Sequence, residues 1–265
     1  MKNVKSTATG NSVQQPAARA HADELRWSSY ARRFAQGERR AHIFRDLILA
    51  DAAAAERREG LSILDIGCGG GFDKSAPVQE CIGRVADRYI GVEPDPEIKV
   101  ADVFDSTYRC CFEDASIEPE SIDIAFSVMV LEHFEHPQEF WNKVHATLKD
   151  GGVFWGFTVD ARHWFVTASL LMERLRIKDA YLDMLHGKRG ESRYANYGVF
   201  YRTNTPDQIA ALTSEFSSTT VLNFHRVGQL DYYFPPALRW VGRTVDRFAG
   251  AMGLPGSILA VRVEK

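Results

Sequence analysis

The residues best placed to do chemistry are two carboxylates and a run of glycines. Asp65 sits near the end of the run Leu61-Ser62-Ile63-Leu64-Asp65-Ile66, and Gly67-Cys68-Gly69-Gly70-Gly71 follows at once. A short apolar run of this kind reads as a buried parallel strand, and its carboxyl end is where open α/β sheets bind ligands. Glycine has no Cβ, so the chain can turn sharply there and lay its backbone against a ligand. The pattern from Gly67 is G-x-G-x-G, with Phe72 where a dinucleotide fingerprint would place its last glycine. No Lys-Ser/Thr pair follows at the spacing of a triphosphate-binding loop. An acid just before the loop repels a pyrophosphate and attracts an ammonium group, so the loop suits a ligand with a cationic amino-acid end.

The second carboxylate is Glu93, at the end of Tyr89-Ile90-Gly91-Val92, about one βα unit downstream. An acid at the end of a second strand is placed to accept hydrogen bonds from two ribose hydroxyls. A third apolar run, Ile122 to Val128, leads through Met129 into Leu131-Glu132-His133, with His136-Pro137 opening the next helix. His133 has a side chain that titrates near working pH and could take a proton from an attacking hydroxyl. Bracing of its loop is the competing role for the same residue.

The elements that must hold these groups alternate in type. Helices are predicted over Ala22 to Ala35, from about Glu38 to Arg58, and from Asp73 to Ala86 with an interruption at Pro77. The second strand stops at Pro94-Asp95-Pro96, since proline removes a donor and fixes φ. A short third strand is expected over Thr107 to Cys111, and the helix opened by Pro137 closes at Lys149-Asp150-Gly151-Gly152. A fifth strand spans Val153 to Val159, and Asp160 caps a helix reaching Arg176. Thr205-Pro206-Asp207-Gln208 reads as a capping box for a helix to about Ser214. The sixth strand falls within residues 216–227 and the last over Ile258 to Val263.

Together these residues resemble the class I S-adenosylmethionine-dependent methyltransferases. The glycine loop matches their first motif and Glu93 their ribose acid. Leu131-Glu132-His133 and Leu148-Lys149-Asp150-Gly151-Gly152 match the signature after their fourth strand. The resemblance covers residues 40–160 closely and the remainder in outline. It implies an α/β, Rossmann-like, seven-stranded, mostly parallel sheet flanked by helices, with the last strand antiparallel.

The resemblance also implies roles. S-adenosyl-L-methionine is the expected cofactor, held by Asp65, Gly67, Cys68, Gly69, Glu93, Pro94 and Met129. Phe112 is expected to pack on the adenine, with either Glu113 or Asp114 accepting from its exocyclic amine. Tyr30, on an N-terminal helical cap over residues 21–58, is the candidate to approach the cofactor from above. The segment 160–204 follows the fifth strand and is rich in aromatic side chains, among them Tyr194 and Tyr197. It is expected to form a lid over a small-molecule acceptor, with His163 joining His133 as a candidate catalytic residue. Substitution of His163 or Tyr197 should then alter acceptor kinetics at least as much as substitution of His133. The expected reaction is methyl transfer to an oxygen or nitrogen of a small acceptor. An RNA or protein methyltransferase and a non-catalytic cofactor-binding protein are the alternatives.

Composition sets the outer bounds. The chain has 265 residues, 45% of them hydrophobic and 25% charged, with a formal net charge of −3. That length suits one α/β domain with insertions over residues 21–265. The pI of about 6.3 gives no global footprint for nucleic acid. Cys68, Cys81, Cys110 and Cys111 show neither zinc spacing nor a secreted disulfide pattern. With no hydrophobic leader and no apolar run near a membrane span, a cytoplasmic protein is expected. Residues 1–20 hold hardly any large apolar side chain and are expected to be a disordered tail. In the stretch 236–252, Leu238, Val241, Val245, Phe248 and Met252 share one helical face, with Arg239, Arg243 and Arg247 on another. That face is expected to cover the sheet, with contact to a membrane surface or a partner as the alternative.

Overall fold

The apolar run before the glycines forms strand β1 (Ser62–Ile66), with four consecutive buried residues. It pairs in parallel with β2 (Arg88–Val92) on one side and β4 (Ile122–Val128) on the other. Strand β3 (Ser106–Tyr108) adds to β2, and β5 (Leu148–Val159) adds to β4, both in parallel. Strand β7 (Ile258–Glu264) lies antiparallel between β5 and β6 (Ser218–Phe224). The sheet order is β3-β2-β1-β4-β5-β7-β6. The order reverses between β1 and β4, so a crevice opens beyond their carboxyl ends, where the glycine loop lies. The computed structural model describes residues 27–55, 60–187 and 198–265.

Alternate strand residues feed two cores, as the two-residue period of a strand requires. On one face Ile63, Phe126, Trp155 and Phe157 pack under α1 (residues 27–35), α2 (Arg40–Ala54) and α3 (Ala76–Gly83). On the other, Leu64, Ile66, Phe154 and Val261 pack under α4 (Pro137–Thr147) and α7 (Pro206–Leu212). A polar staple fixes α2 across the sheet. Buried Asp51 accepts from Trp155 Nε1 on β5 at 2.8 Å and from Arg262 Nε on β7 at 2.9 Å. Three further helices, α5 (Trp164–Arg174), α6 (Lys178–His186) and α8 (Arg239–Ala251), give no residue to either of these clusters.

Several boundaries differ from the sequence expectation for local reasons. Helix α3 starts at Ala76 instead of Asp73, because Asp73 and Lys74 take left-handed φ values of 46° and 63°. Pro77 then lies in the first turn, where its missing N–H is no loss, and does not interrupt the helix. Asp160 is not the cap of α5. Its carboxylate accepts from Arg162 N at 2.9 Å and Asn223 Nδ2 at 2.9 Å, and the helix begins after His163. Strand β3 ends at Tyr108, short of Cys111, and β5 begins at Leu148, before the two glycines. Thr205 does cap α7, its Oγ1 accepting from Gln208 N at 3.3 Å.

Helix α8 departs most from expectation. It buries Gly242, Asp246 and Ala249 and leaves Phe248 66% and Met252 62% exposed. The inward face is chosen by fit and hydrogen bonding. Gly242 lets Phe234 pack close, and Asp246 accepts from Trp164 Nε1 at 3.1 Å and Gly228 N at 3.0 Å. The expected tail over 1–20 and the start of the first helix before residue 27 lie outside the described residues.

Candidate active site

The pairing of β1 with β2 brings the two carboxylates to one end of the sheet. Asp65 is level with Gly91 and Ile66 with Val92, so Glu93 emerges beside the glycine loop. Gly67 N and Cys68 N both donate to Val92 O, at 2.8 and 3.1 Å, which folds the loop over the end of β2. Gly67 has φ +79°, and a Cβ there would stand 2.6 Å from Val130 Cγ2. Gly69 N donates to Glu93 Oε2 at 2.9 Å. A Cβ on Gly69 would stand 2.5 Å from Ile98 Cγ2 and overlap the Glu93 carboxylate as well. Both positions therefore need glycine for close approach. Glu93 Oε1 accepts from Asp95 N at 2.9 Å. Each carboxylate oxygen keeps a further lone pair for a ligand hydroxyl.

Asp65 is only 3% exposed. Its Oδ2 accepts from Gln79 Nε2 at 3.1 Å and from Tyr89 Oη at 3.2 Å. Burial outweighs those two bonds and, with the nearby Glu93 charge, pushes its pKa up to about 7. A cation brought to the loop would hold this group ionised.

These groups line a cavity of about 920 Å³. That lies within the range of small-ligand and cofactor pockets. Asp65, Gly67, Gly69, Glu93 and Pro94 line it. Phe112, Glu113, Asp114, Met129 and His133 line it as well. Three expected residues do not line it. Cys68 is buried beneath the loop, with its Sγ toward Gly91, because the strand-to-loop turn directs that side chain inward. Tyr30 packs on Trp27, ring centroids 6.3 Å apart, with the Arg33 guanidinium over its ring. His163 is 4% exposed and caps α5, its Nδ1 accepting from Phe165 N at 3.3 Å. Burial lowers its pKa, the field of Asp246 working against that shift. Tyr194 and Tyr197 lie outside the described residues.

At the end of β4, Met129 has φ +58° and its N donates to Phe157 O at 2.7 Å. The chain then makes a single 3-10 turn, Leu131–His133. Glu132 braces this loop through its side chain. Its Oε2 accepts from Thr158 Oγ1 at 2.7 Å, and Thr158 Oγ1 in turn accepts from Asn204 Nδ2 at 2.7 Å. His133 faces the cavity, and its Nδ1–H donates to Gly198 O at 2.8 Å. A carbonyl can only accept, so this bond puts the ring proton on Nδ1 and the basic lone pair on Nε2.

Arg40 is among the cavity residues that the sequence left unmarked. Arg40, on the first turn of α2, forms a bidentate pair with Asp73, Nε to Oδ2 at 2.9 Å and NH2 to Oδ1 at 2.6 Å. Its NH1 also lies 3.8 Å from Met129 Sδ. The pair clasps the helical cap onto the glycine loop. Nothing in the local sequence distinguishes Arg40 from its neighbours Arg39 and Arg45, since only the helix's placement turns it inward.

The chain has measurable likeness to known proteins. It is 28% identical over 171 residues to the mitochondrial ubiquinone biosynthesis O-methyltransferase of Mus musculus, covering 59% of this chain and 45% of that one. It is 30% identical over 115 residues to the ubiquinone biosynthesis O-methyltransferase of Paramagnetospirillum magneticum, covering 40% and 44%. The chain thus spans less than half the length of these curated relatives. The crystal structure of a SAM-dependent methyltransferase from Archaeoglobus fulgidus superposes with a TM-score of 0.52 at 11% identity, over 88% of this chain and 97% of that one. That likeness is one of fold. The model of the methyltransferase domain family matches residues 36–196, which span the cap helix, the glycine loop, Glu93 and the Glu132 turn, and the chain belongs to that family.

Proposed function

We propose that this protein transfers a methyl group from S-adenosylmethionine to a small-molecule acceptor, at an oxygen or a nitrogen, with oxygen favoured by the names of the curated relatives. The observation that carries the reading is the Glu93 carboxylate held by Gly69 N and Asp95 N in the lining of the cavity. Bound cofactor supplies an electrophilic methyl on a sulfonium. The chain's own residues do the rest. Asp65 takes the ammonium, Glu93 the ribose hydroxyls, and Phe112 with Glu113 or Asp114 the base. Met129 and Arg40 close the cavity beside the glycine loop.

Transfer of this kind needs positioning more than covalent help, and positioning alone can supply roughly 7 kcal/mol or more. For a neutral hydroxyl acceptor, His133 Nε2 takes the proton, and the Gly198 carbonyl steadies the imidazolium through Nδ1–H. The segment after β5 walls the acceptor side, as Gly198 and Phe200 on the cavity suggest. A cytoplasmic site of action accords with four free cysteines. Among the described residues no helix is long and apolar enough to cross a membrane.

Calorimetry with S-adenosylhomocysteine and with NAD tests the cofactor. Binding of the first and not the second is expected, and tighter NAD binding would refute it. Turnover of methyl-labelled cofactor against a panel of phenols, catechols and amines tests the reaction. Cofactor binding with no transfer to any class of acceptor would favour a non-catalytic role.

A further inference from the structure

Large apolar side chains with high exposure concentrate on α5, α6, α8 and the turns beside them. At the α5–α6 joint these are Leu171 56%, Leu175 58% and Ile177 48% exposed. On α8 they are Trp240 65% and Phe248 66% exposed, with Met252 62% exposed at its C-cap. The two sets belong to one layer. Tyr181 Oη of α6 donates to Tyr233 O at 2.8 Å, Phe165 of α5 packs on Tyr233, and Trp164 of α5 bonds Asp246 of α8.

Helix α8 has three faces. Gly242, Asp246 and Ala249 face inward. Val241, Val245, Phe248 and Met252 follow the i, i+4, i+7, i+11 spacing of an apolar stripe, and Arg239, Arg243 and Arg247 the i, i+4, i+8 spacing of a basic one. Trp240 falls between the basic row and the stripe. Arg243 pairs with Asp231, Nε to Oδ2 at 2.9 Å. Arg239 and Arg247 make no ion pair with a described residue. The apolar joint of α5 and α6 is likewise interleaved with cations, in the order Leu175-Arg176-Ile177-Lys178. Lys178 is paired with Glu173 at 3.1 Å.

We propose that α8, together with the α5–α6 joint, seats the protein on an anionic bilayer surface, with α8 lying in the plane of the interface. The charge pattern selects this occupant. Apolar side chains rimmed by arginines, with a tryptophan at the boundary, match the layered polarity of headgroups over acyl chains. Arginine stems can lie along the apolar zone while their guanidiniums reach the phosphates. A second copy fits less well, because a twofold contact through this face sets like-charged arginine rows against each other. The inference is independent of the methyl-transfer reading.

Co-sedimentation of the full chain with vesicles tests it, comparing phosphatidylcholine alone with phosphatidylcholine mixed with phosphatidylglycerol. Binding at least about tenfold stronger to the mixed vesicles is expected, since each basic residue at such a surface contributes on the order of a fivefold factor. The double variant R239E/R247E should lose at least about tenfold in binding to mixed vesicles. The double variant W240S/F248S should lose about tenfold or more through apolar contact alone. Both pairs are exposed, so circular dichroism and the calorimetric affinity for S-adenosylhomocysteine should stay as in the parent protein. Equal binding to both vesicle types, no binding to either, or variants that bind like the parent would overturn the proposal. So would a dimer in light scattering that W240S/F248S dissociates while the parent ignores vesicles, which would assign the face to a second copy.

Discussion

The two carboxylates at the site are prepared differently. Glu93 accepts from two backbone N–H groups, whereas Asp65 is buried and accepts from two side chains whose bonds do not offset its burial. Replacing Glu93 with Ala should weaken S-adenosylhomocysteine binding about tenfold to a hundredfold, the range of roughly 1.5–3 kcal/mol for bonds to a charged group. Calorimetry reads this, with the fold confirmed by circular dichroism, and unchanged affinity would remove Glu93 from the ribose role. Burial raises the folded pKa of Asp65 from 3.8 to about 7, so the native state keeps a proton the unfolded chain loses between those values. Stability of the ligand-free protein should therefore fall as pH rises through that window, and Asp65→Asn should flatten the fall in a melting series. An ammonium ligand lowers the pKa again. Binding at pH near 6 should release close to one proton, measured by calorimetry in buffers of different ionisation enthalpy, and none in the Asn variant. The two histidines should also separate. His133→Ala is expected to lower turnover of a hydroxyl acceptor at saturating cofactor. His163→Ala should leave turnover unchanged and cost about 0.5–2 kcal/mol of stability as a lost cap.

At the scale of elements, the site is a meeting of three loops held by unlike devices. The glycine loop is folded over β2 by backbone bonds, the Met129–His133 loop is braced by Glu132, and the cap helix is clasped through Arg40 and Asp73. The clasp joins residues 33 positions apart in the chain. Arg40→Met should loosen the cap, raising backbone amide exchange in α2 and the loop around Asp73 while leaving exchange in β4 and β5 unchanged. Faster exchange spread evenly over the sheet would mean that Arg40 serves the whole fold. For the loop itself, Gly69→Ala drives a methyl into Ile98 and Glu93, so cofactor affinity should fall at least as far as in Glu93→Ala.

At the scale of the molecule, the sheet is locked to its cap through one buried cluster. Asp51 of α2 holds both Trp155 and Arg262, strands β5 and β7 of the same sheet. Asp51→Asn leaves the largely buried Arg262 guanidinium without its main counter-charge, although Glu264 still accepts from it. A loss of about 3 kcal/mol is expected from urea unfolding. The midpoint should fall with the slope unchanged, because the surface exposed on unfolding is the same.

Local rules carried the carboxyl end of the sheet and not the outer surface of the protein. Strand-then-glycine at 61–71, strand-then-acid at 89–93 and strand-then-turn at 122–133 are short-range patterns with one backbone solution each, so Asp65, Gly69, Glu93 and Met129 could be placed on the sheet's carboxyl end from the chain alone. The capping box at Thr205 was legible for the same reason. What the sequence left open depends on contacts between distant segments. Arg40 becomes a cavity residue through the placement of α2, set by its apolar packing on the sheet and by Asp51, and the role of Glu132 depends on Thr158 and Asn204. His163 and Tyr30 have side chains suited to a pocket, yet their helices turn them into a cap and a packing contact. Helix α8 shows the limit most plainly. Periodicity reveals that it has an apolar face, but which face turns inward is decided by Gly242 fitting Phe234 and Asp246 bonding Trp164, and that choice leaves Phe248 and Met252 facing outward.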